Sequence, residues 1–147
     1  ITLGRAAVKH GTRDRLSLGN LDAKREWGHA RDYVEAMWLM MQQEEPDDYV
    51  IATGETHSVR EFVVAAAAAA GIEIEWSGEG TDEVGRDRAT GQVVVDVDPR
   101  FYRPAEVELL LGDPSKAKAK LDWKPKISFE ALAEIMMNAD LALIERR

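Results

Sequence analysis

Apolar residues recur with two periods along the chain, and these periods predict alternating helices and strands. Residues 2 to 10 have a helical pattern that ends at Gly11, since glycine readily takes the left-handed conformation that follows a helix. From Ala30 to Gln43, apolar residues fall at i, i+3, i+4 and i+7: Val34, Met37, Trp38 and Met41. This spacing predicts a helix with a wide buried face, in which the Met-rich stretch 37–41 belongs to the core.

A third helix is predicted over HSVREFVVAAAAAAG, residues 57 to 71. Ser58 and Glu61 have the spacing of a capping box, and Gly71 ends the pattern. The consecutive alanines fit a helix that packs closely against a neighbouring layer, because alanine combines high helix propensity with a small side chain. One apolar face is formed by Val59, Phe62, Val63, Ala66, Ala67 and Ala70.

Short apolar or alternating runs predict the strands. They are RLSLG at 15–19, YVIATG at 49–54, IEIEW at 72–76, and a hairpin at 83–97 that turns near Thr90 and Gly91. A long loop follows from 98 to 125, in which SKAKAK suits a solvated helix face, and Ser128 then caps a final helix. The apolar residues of that helix are Leu132, Ile135, Met136, Ala139 and Leu143. This order predicts an α/β fold of α+β-like character, a small mixed sheet with packed helices in one domain, residues 1–147.

Charge and cysteine content restrict the functions that this fold can serve. The chain has 27 acidic and 19 basic side chains, a net charge of −8, which argues against a nucleic-acid-binding protein. Any anionic ligand must then be held by a few placed cations. The absence of cysteine excludes disulfides, thiolate catalysis and zinc–thiolate sites, and we expect a cytoplasmic protein. No run of about 18 apolar residues occurs, so we expect no membrane-spanning segment.

The sequence has no evident catalytic motif. It contains neither the dinucleotide pattern G-x-G-x-x-G nor a P-loop, and His10, His29 and His57 are too scattered to predict a metal site. We interpret His29 as a hydrogen-bonded structural residue. The four tryptophans, Trp27, Trp38, Trp76 and Trp123, are predicted to serve packing. We therefore predict no catalytic residue, no cofactor-binding residue and no metal ligand in this chain.

Two polar segments are candidates for ligand binding. Arg25 stands between a predicted strand and a predicted helix, where a guanidinium can present its planar fork to phosphate oxygens. From the local sequence alone, a surface arginine paired with Glu26 or Asp32 is the favoured interpretation. Arg103 and Glu106 lie in DPRFYRPAEVELLLGD, a proline- and aromatic-containing loop that suits either a binding segment or a packed surface loop with a solvated ion pair.

Four stretches of the chain resemble a known family: LGNLDAKREWGHARDYVEAMW, EEPDDYVIATGETHSVREF, VDPRFYRPAEVELLLGD and LDWKPKISFEAL. They are similar to the C-terminal part of the GDP-mannose 4,6-dehydratase family, a branch of the extended short-chain dehydrogenase/reductases. The similarity covers essentially the whole chain. A further stretch, GDPSKAKAKLDWKP, looks like a motif of the broader family and is less specific.

The resemblance implies a lyase built from two parts. In this family an N-terminal Rossmann domain holds NADP and carries the catalytic Tyr and Lys, while the C-terminal part binds the nucleotide sugar. The implied reaction oxidises C4 of the mannose in GDP-mannose by hydride transfer to NADP, eliminates water across C5 and C6, and returns hydride to C6. The product is GDP-4-dehydro-6-deoxy-D-mannose, a precursor of GDP-fucose, and the resemblance also implies a homo-oligomer.

The resemblance further assigns substrate-binding residues. Arg25 matches an arginine that contacts the diphosphate or ribose region, Arg103 a residue that faces phosphate, and Glu106 one that faces a ribose hydroxyl. Asn20 and Leu21 match a loop that approaches the nucleotide. The glycine-rich NADP loop and the Y-x-x-x-K pair have no counterpart here, and the chain opens inside a predicted helix. We therefore expect a substrate-binding domain without its Rossmann half, inactive on its own.

Two alternatives stay open at this point. One is the corresponding part of a GDP-4-dehydro-6-deoxy-mannose reductase, which shares the fold and the ligand and would differ in the upstream residues near its catalytic Tyr. The other is a non-catalytic acidic interaction domain, in which Arg25 and Arg103 are surface charges. In that case GDP would not bind, and neither Arg25→Ala nor Arg103→Ala would change binding.

Overall fold

The structure, a computed structural model, describes residues 1–105 and 110–146. Its helices are α1 (Thr2–Lys9), α2 (Ala30–Met41), α3 (Val59–Ala69), α4 (Ser115–Leu121) and α5 (Phe129–Glu145). Its strands are β1 (Leu16–Leu18), β2 (Lys24–Arg25), β3 (His57–Ser58), β4 (Ile74–Ser77), β5 (Val84–Asp87) and β6 (Val93–Val97). A short 3₁₀ helix, Gly80–Asp82, precedes β5.

A small mixed sheet has the strand order β1-β6-β5-β4. β1 runs parallel to β6, with Leu16 opposite Val95 and Leu18 opposite Val97, whereas β6, β5 and β4 are antiparallel neighbours. The predicted hairpin is the β5–β6 pair, and Gly91 turns it with a φ of 71°. β2 and β3 form a separate antiparallel pair of two residues each. The predicted mixed α/β architecture is confirmed.

Helices α1, α3 and α5 pack together and form the main core. Its buried members include Phe62 from α3 and Phe129 and Met137 from α5, interleaved with alanines. Ala66 and Ala67 are fully buried, which confirms that the alanine run is a packed helix face. The predicted capping box of α3 is also present, with reciprocal hydrogen bonds between Ser58 and Glu61.

A second, smaller cluster joins α2 to α4. Ala36, Ala117, Leu121 and Trp123 are its buried members. Asp32, only 2% exposed, ties the same elements together through hydrogen bonds. Its carboxylate accepts the backbone N–H groups of Lys126 and Ile127 at 3.1 and 3.2 Å, and its carbonyl accepts the indole N–H of Trp123 at 2.9 Å. The segment that leads into α5 is thereby fixed to α2.

The predicted buried face of α2 is wrong. Val34, Met37, Trp38 and Met41 are 59 to 82% exposed, so neither the Met-rich stretch as a whole nor Trp38 belongs to the core. The helix carries apolar residues on a second face, and α4 packs there because Ala36 allows a close approach, with Leu39 and Met40 alongside. The apolar spacing alone placed this stripe in the interior, whereas the structure leaves it exposed.

The segment 49–54 was predicted to be a strand, and that prediction is also wrong. The described residues give it no strand partner, and the backbone is irregular from Tyr49 to Gly54. Tyr49 and Ile51 pack against the α2–α4 cluster, and Ala52 is buried, but Val50 is half exposed. The sequence contains the short apolar run on which the prediction rested, but no neighbouring strand pairs with it among the described residues.

The long α5 also differs in part from its predicted face. Leu132 is buried, but Ile135, Met136 and Leu143 are 40 to 46% exposed, and Phe129, Ala133 and Met137 face the core instead. Within the described ranges, no helix is both long and apolar enough to cross a membrane.

Candidate functional site

The candidate site lies where the two parallel strands end. β1 and β6 run in the same direction, so the loops that follow them, 19–23 and 98–105, leave the sheet at one edge. The pairing continues one step beyond β6, since the N–H of Asp98 donates to the carbonyl oxygen of Leu18 at 2.8 Å. Topology therefore brings together residues that are about 80 positions apart.

The 98–105 loop begins with a compact turn around Asp98. The carbonyl oxygen of Asp98 accepts the N–H of Phe101 at 2.9 Å, and its carboxylate holds the guanidinium of Arg100, with an Nη2–Oδ2 distance of 2.6 Å. The hydrogen bond from Arg100 keeps the pKa of Asp98 below its usual value. Arg100 is thus tied to the start of the loop.

Two contacts then join this loop to the end of β1. At Gly19 the backbones approach so closely that a Cβ atom would lie 2.1 Å from the carbonyl oxygen of Phe101. One residue further, the side-chain amide of Asn20 bonds the backbone of Arg103 twice. Asn20 Oδ1 accepts the Arg103 N–H at 2.7 Å, and Asn20 Nδ2 donates to the Arg103 carbonyl oxygen at 2.8 Å.

A cavity of about 410 Å³ opens beside these contacts. Its lining includes three arginines, Arg25, Arg100 and Arg103, together with Asn20 and further residues of both loops. Arg25 lies on β2, and its Nη1 donates to the carbonyl oxygen of Lys24 at 2.6 Å. Three guanidinium-bearing residues around one cavity are notable in a protein of net charge −8.

A larger cavity, of about 580 Å³, shares Gly19, Asn20 and Ala23 with the first. Leu21 and Tyr102 give it an apolar part, and Asp22, Lys24 and Glu83 give it charged groups. Leu21 is only 4% exposed, so its position is fixed by packing. Because they share Gly19, Asn20 and Ala23, the two cavities adjoin each other, and together they are called the groove below.

Arg60, from α3, holds one wall of this larger cavity. Its Nη2 donates to Asp22 at 2.9 Å and to Glu83 at 3.0 Å, and Nη1 forms a further short ion pair with Glu83. The guanidinium also lies over the ring of Trp76 at 4.8 Å. The hydrogen bond with Glu83, with a smaller contribution from Asp22, raises the pKa of Arg60. Asp22, on the loop after β1, is thus connected to Glu83 at the start of the hairpin.

The predicted site residues divide into three groups. Arg25, Arg103 and Asn20 line the smaller cavity, and Asn20 and Leu21 line the larger one. Glu106 lies outside the described residues. Glu26 and Asp32, the acids considered as partners for Arg25, both accept backbone N–H groups, in the case of Glu26 from Gly54 at 2.8 Å.

Sequence reasoning missed several residues of the site. Arg100 lies in the 98–105 loop directly after Asp98-Pro99, a dipeptide that favours a turn, so a signal for the turn that positions it existed. Arg60 and Glu83 gave no such signal, because their connection spans 23 positions and depends on the tertiary fold.

Two of the three histidines, His29 and His57, have structural environments. Nδ1 of His29 accepts the N–H of Arg31 at 3.1 Å and caps α2, which agrees with the interpretation of His29 as a structural residue. The ring of His57 stacks on Phe129 at 3.8 Å between centroids. Over residues 1–105 and 110–146, no group of three or more His, Asp or Glu side chains could hold a metal ion.

Comparison with known proteins identifies the family. The sequence profile described as GDP-mannose 4,6 dehydratase matches residues 1–136. The chain belongs to the GDP-mannose 4,6-dehydratase family. It is 55% identical to the GDP-mannose 4,6 dehydratase of Drosophila melanogaster over 146 residues, which cover 99% of this chain and 37% of the relative. The human relative is also 55% identical, over 139 residues that cover 95% of this chain and 37% of its own length.

The chain therefore spans about two fifths of the length of these GDP-mannose 4,6-dehydratase relatives. Among solved structures, RMD from Pseudomonas aeruginosa complexed with NADPH has a TM-score of 0.75 at 19% identity, covering 97% of this chain and 41% of that one. The dTDP-glucose 4,6-dehydratase of Bacillus anthracis in complex with NAD has a TM-score of 0.67 at 17% identity, covering 92% and 37%. At these identities the likeness concerns the fold alone, and it agrees with the predicted α/β architecture.

Proposed function

We propose that residues 1–147 are the substrate-binding domain of a GDP-mannose 4,6-dehydratase, which converts GDP-mannose to GDP-4-dehydro-6-deoxy-D-mannose and water. The observation that carries the proposal is the smaller cavity, where Arg25, Arg100 and Arg103 converge in an acidic chain. A diphosphate is the part of GDP-mannose that needs such a cluster, because guanidinium groups match phosphate oxygens in charge and in planar geometry.

Each residue then has a role. Arg25, from β2, and Arg103, from the 98–105 loop, hold the diphosphate from two sides of the cavity, and Glu106 binds a ribose hydroxyl as the family resemblance implies. Leu21 supports the nucleotide from the apolar part of the groove, and Asn20 lies between the two cavities. No catalytic residue is assigned to this chain, which contributes binding and orientation of the sugar nucleotide.

The described residues do not fit an NADP site. Such a site needs a glycine-rich strand-to-helix turn whose backbone approaches the pyrophosphate. Here β3 continues directly into α3 at Ser58, and before α2 a Cβ on Gly28 would meet the Tyr33 ring rather than open space. We therefore assign NADP, as the hydride carrier of the parent enzyme, to a Rossmann domain outside these residues, and we derive no hydride step from this chain.

The exposed stripe on α2 supports the assignment of cofactor binding to a separate domain. Val34, Met37, Trp38 and Met41 form a continuous apolar surface along the helix, of a kind that usually marks a contact with another polypeptide surface. We propose that the remaining part of the parent enzyme covers it. A homo-oligomeric parent and a cytoplasmic location stay predictions.

Calorimetry with GDP tests the binding site directly. We expect GDP to bind the chain, and Arg25→Ala or Arg103→Ala to weaken binding by about ten- to a hundredfold, the range for losing a hydrogen-bonded charged partner. Arg88→Ala is the matched control, because Arg88 is exposed beyond β5, pairs with Glu73 and is outside both cavities. No detectable GDP binding in any of the four proteins would favour an acidic interaction domain over a nucleotide site. Equal measurable affinity in all four would exclude Arg25 and Arg103 from the binding site.

A turnover assay tests the assignment of chemistry. We expect the purified chain to form no GDP-4-dehydro-6-deoxy-D-mannose from GDP-mannose and NADP, since the groups that transfer hydride and protons lie elsewhere. Product formation above a no-protein control would refute the assignment of catalysis to a separate domain. GDP binding without turnover is the combined result that we expect.

A further inference from the structure

Asn20 is placed to act on another residue of the site rather than on the ligand. Both polar atoms of its side chain are engaged by the backbone of Arg103, Oδ1 with the N–H at 2.7 Å and Nδ2 with the carbonyl oxygen at 2.8 Å. These are the two bonds that a paired residue in an antiparallel strand would make. The Asn20 amide therefore takes the place of a strand partner for Arg103, 83 positions away in sequence.

The neighbouring contacts converge on the same result. Asp98 is bonded to Leu18 at the base of the loop, and the Phe101 backbone rests directly against Gly19. Asn20 supplies the third and outermost attachment. Leu18, Gly19 and Asn20, at the end of β1, thus contact the 98–105 loop in order. Their partners are Asp98, Phe101 and Arg103, so Arg103 is the last residue of the loop that is attached in this way.

The position of Arg103 depends most on the outermost attachment. Phe101 is restrained by its own turn, through the bond from its N–H to the carbonyl oxygen of Asp98 at 2.9 Å. Arg103 lies beyond that turn and just before Pro104, which has no N–H to donate. Asn20 forms hydrogen bonds with both the N–H and the carbonyl oxygen of Arg103. These bonds fix the backbone position from which the Arg103 side chain extends.

We propose that Asn20 is a positioning residue, which holds Arg103 in the geometry that binds the anionic part of the ligand. The identity of that ligand rests on the proposed function, whereas the attachment of Arg103 to Asn20 does not. The family resemblance places Asn20 in a loop that approaches the nucleotide. In this proposal Asn20 affects nucleotide binding through Arg103.

Amide hydrogen exchange measured by NMR tests the attachment. In Asn20→Ala, exchange of the Arg103 N–H should become about tenfold faster or more, since its acceptor is removed. In Asn20→Asp, the carboxylate can still accept the Arg103 N–H, but its second oxygen faces the Arg103 carbonyl without a proton to share. This variant should therefore protect the Arg103 N–H more than Asn20→Ala does. Asn138→Ala, an exposed change on α5, is the control and should leave this exchange unchanged.

A double-mutant cycle measured with GDP tests the role. Asn20→Ala should weaken GDP binding about tenfold, and it should add little to Arg103→Ala, because both changes remove the same interaction. In combination with Arg25→Ala it should act at nearly full strength. If Asn20→Ala acted only by destabilising the fold, it would weaken GDP binding to the same extent in all these backgrounds.

Two outcomes would overturn the inference, and a third separates it from the proposed function. Unchanged Arg103 exchange in Asn20→Ala, or full additivity with Arg103→Ala, means that Asn20 does not position Arg103. Faster exchange in a chain that binds no GDP, even before mutation, would support the attachment and refute the nucleotide site.

Discussion

Replacement of Gly19 by alanine should disrupt the candidate site from its base. A Cβ atom at this position would lie 2.1 Å from the carbonyl oxygen of Phe101 and 2.7 Å from its carbonyl carbon. Both are backbone atoms, so no change of rotamer can relieve the overlap. Cβ atoms essentially never approach closer than 3.0 Å, so the Phe101 backbone must retreat by about 0.9 Å, the difference between 3.0 and 2.1 Å.

This displacement is large compared with the tolerance of the neighbouring hydrogen bonds. The bonds from Asn20 to Arg103 measure 2.7 and 2.8 Å, and a shift of about 0.9 Å along them gives about 3.6 and 3.7 Å, outside hydrogen-bonding range. Two hydrogen bonds worth about 1 kcal/mol each would be lost. We therefore expect a decrease of about 1–3 kcal/mol in the free energy of unfolding, and GDP binding weakened by about tenfold or more.

Calorimetry with GDP and urea unfolding together decide whether this reasoning is right. Gly11→Ala is the matched control, because Gly11 has a φ of 69°, and nothing lies within 4 Å of the added Cβ. Its left-handed backbone costs an alanine about 1–2 kcal/mol. That control should lose stability and keep its affinity for GDP, whereas Gly19→Ala should lose both. Wild-type affinity and stability in Gly19→Ala would refute the close approach of the two loops.

Four further substitutions test the packing of the fold. Asp32→Ala should lower the free energy of unfolding by about 2–4 kcal/mol, because two N–H groups lose a charged acceptor, while exposed Asp14→Ala should change it by less than about 0.5 kcal/mol in the same urea titration. Ser58→Ala should cost about 1 kcal/mol through loss of the capping box. Hydrogen bonds from Ser58 lower the pKa of Glu61, so the wild-type advantage over Glu61→Gln should be complete above the ordinary pKa of 4.5 and disappear as the pH falls through the lowered one. Trp38→Glu should change stability by less than about 0.5 kcal/mol, and a loss of several kcal/mol would mean that this tryptophan is buried.

Elements with local signals could be predicted from the sequence. α3 begins at a Ser58–Glu61 box and is followed by Gly71, whose φ is 74°, and the β5–β6 hairpin turns at a glycine with positive φ. In each case the residues that determine the structure are within a few positions of one another. Periodicity and turn chemistry therefore contain enough information, and no distant contact is needed to interpret them.

The burial of helix faces could not be predicted in the same way. The apolar spacing on α2 identifies a hydrophobic face, but it does not show which other element of the fold packs against that face. The reverse case occurs on α1, where the charged residue Arg5 is fully buried and the apolar residue Leu3 is half exposed. Nη1 of Arg5 donates to the carbonyl oxygen of Val94 at 3.3 Å, and burial lowers the pKa of its guanidinium. The distant strand β6 decides that position.

Some residues of the candidate site could be singled out from the sequence, whereas Arg100, Arg60, Glu83 and the geometry of the site could not. Arg25 and Arg103 were both singled out for their chemistry and their place beside predicted strands and turns. Their meeting in one cavity follows from the parallel pairing of β1 with β6, which joins segments about 80 residues apart. A parallel pair has no turn signal in the sequence, because its strands are connected through other elements. The bonds from Asn20 to Arg103 follow from the same pairing.

The distribution of charge along the groove favours one orientation of a ligand. The smaller cavity is lined by Arg25, Arg100 and Arg103, and Asp98 balances one of these charges through Arg100. The larger cavity has Lys24 against Asp22 and Glu83, and Arg60 bridges the two acids from behind. A net positive end therefore adjoins a nearly neutral end within one groove. A molecule with a diphosphate at one point and uncharged, hydroxyl-rich or aromatic groups beyond it satisfies both ends, whereas a uniformly anionic polymer satisfies only the first.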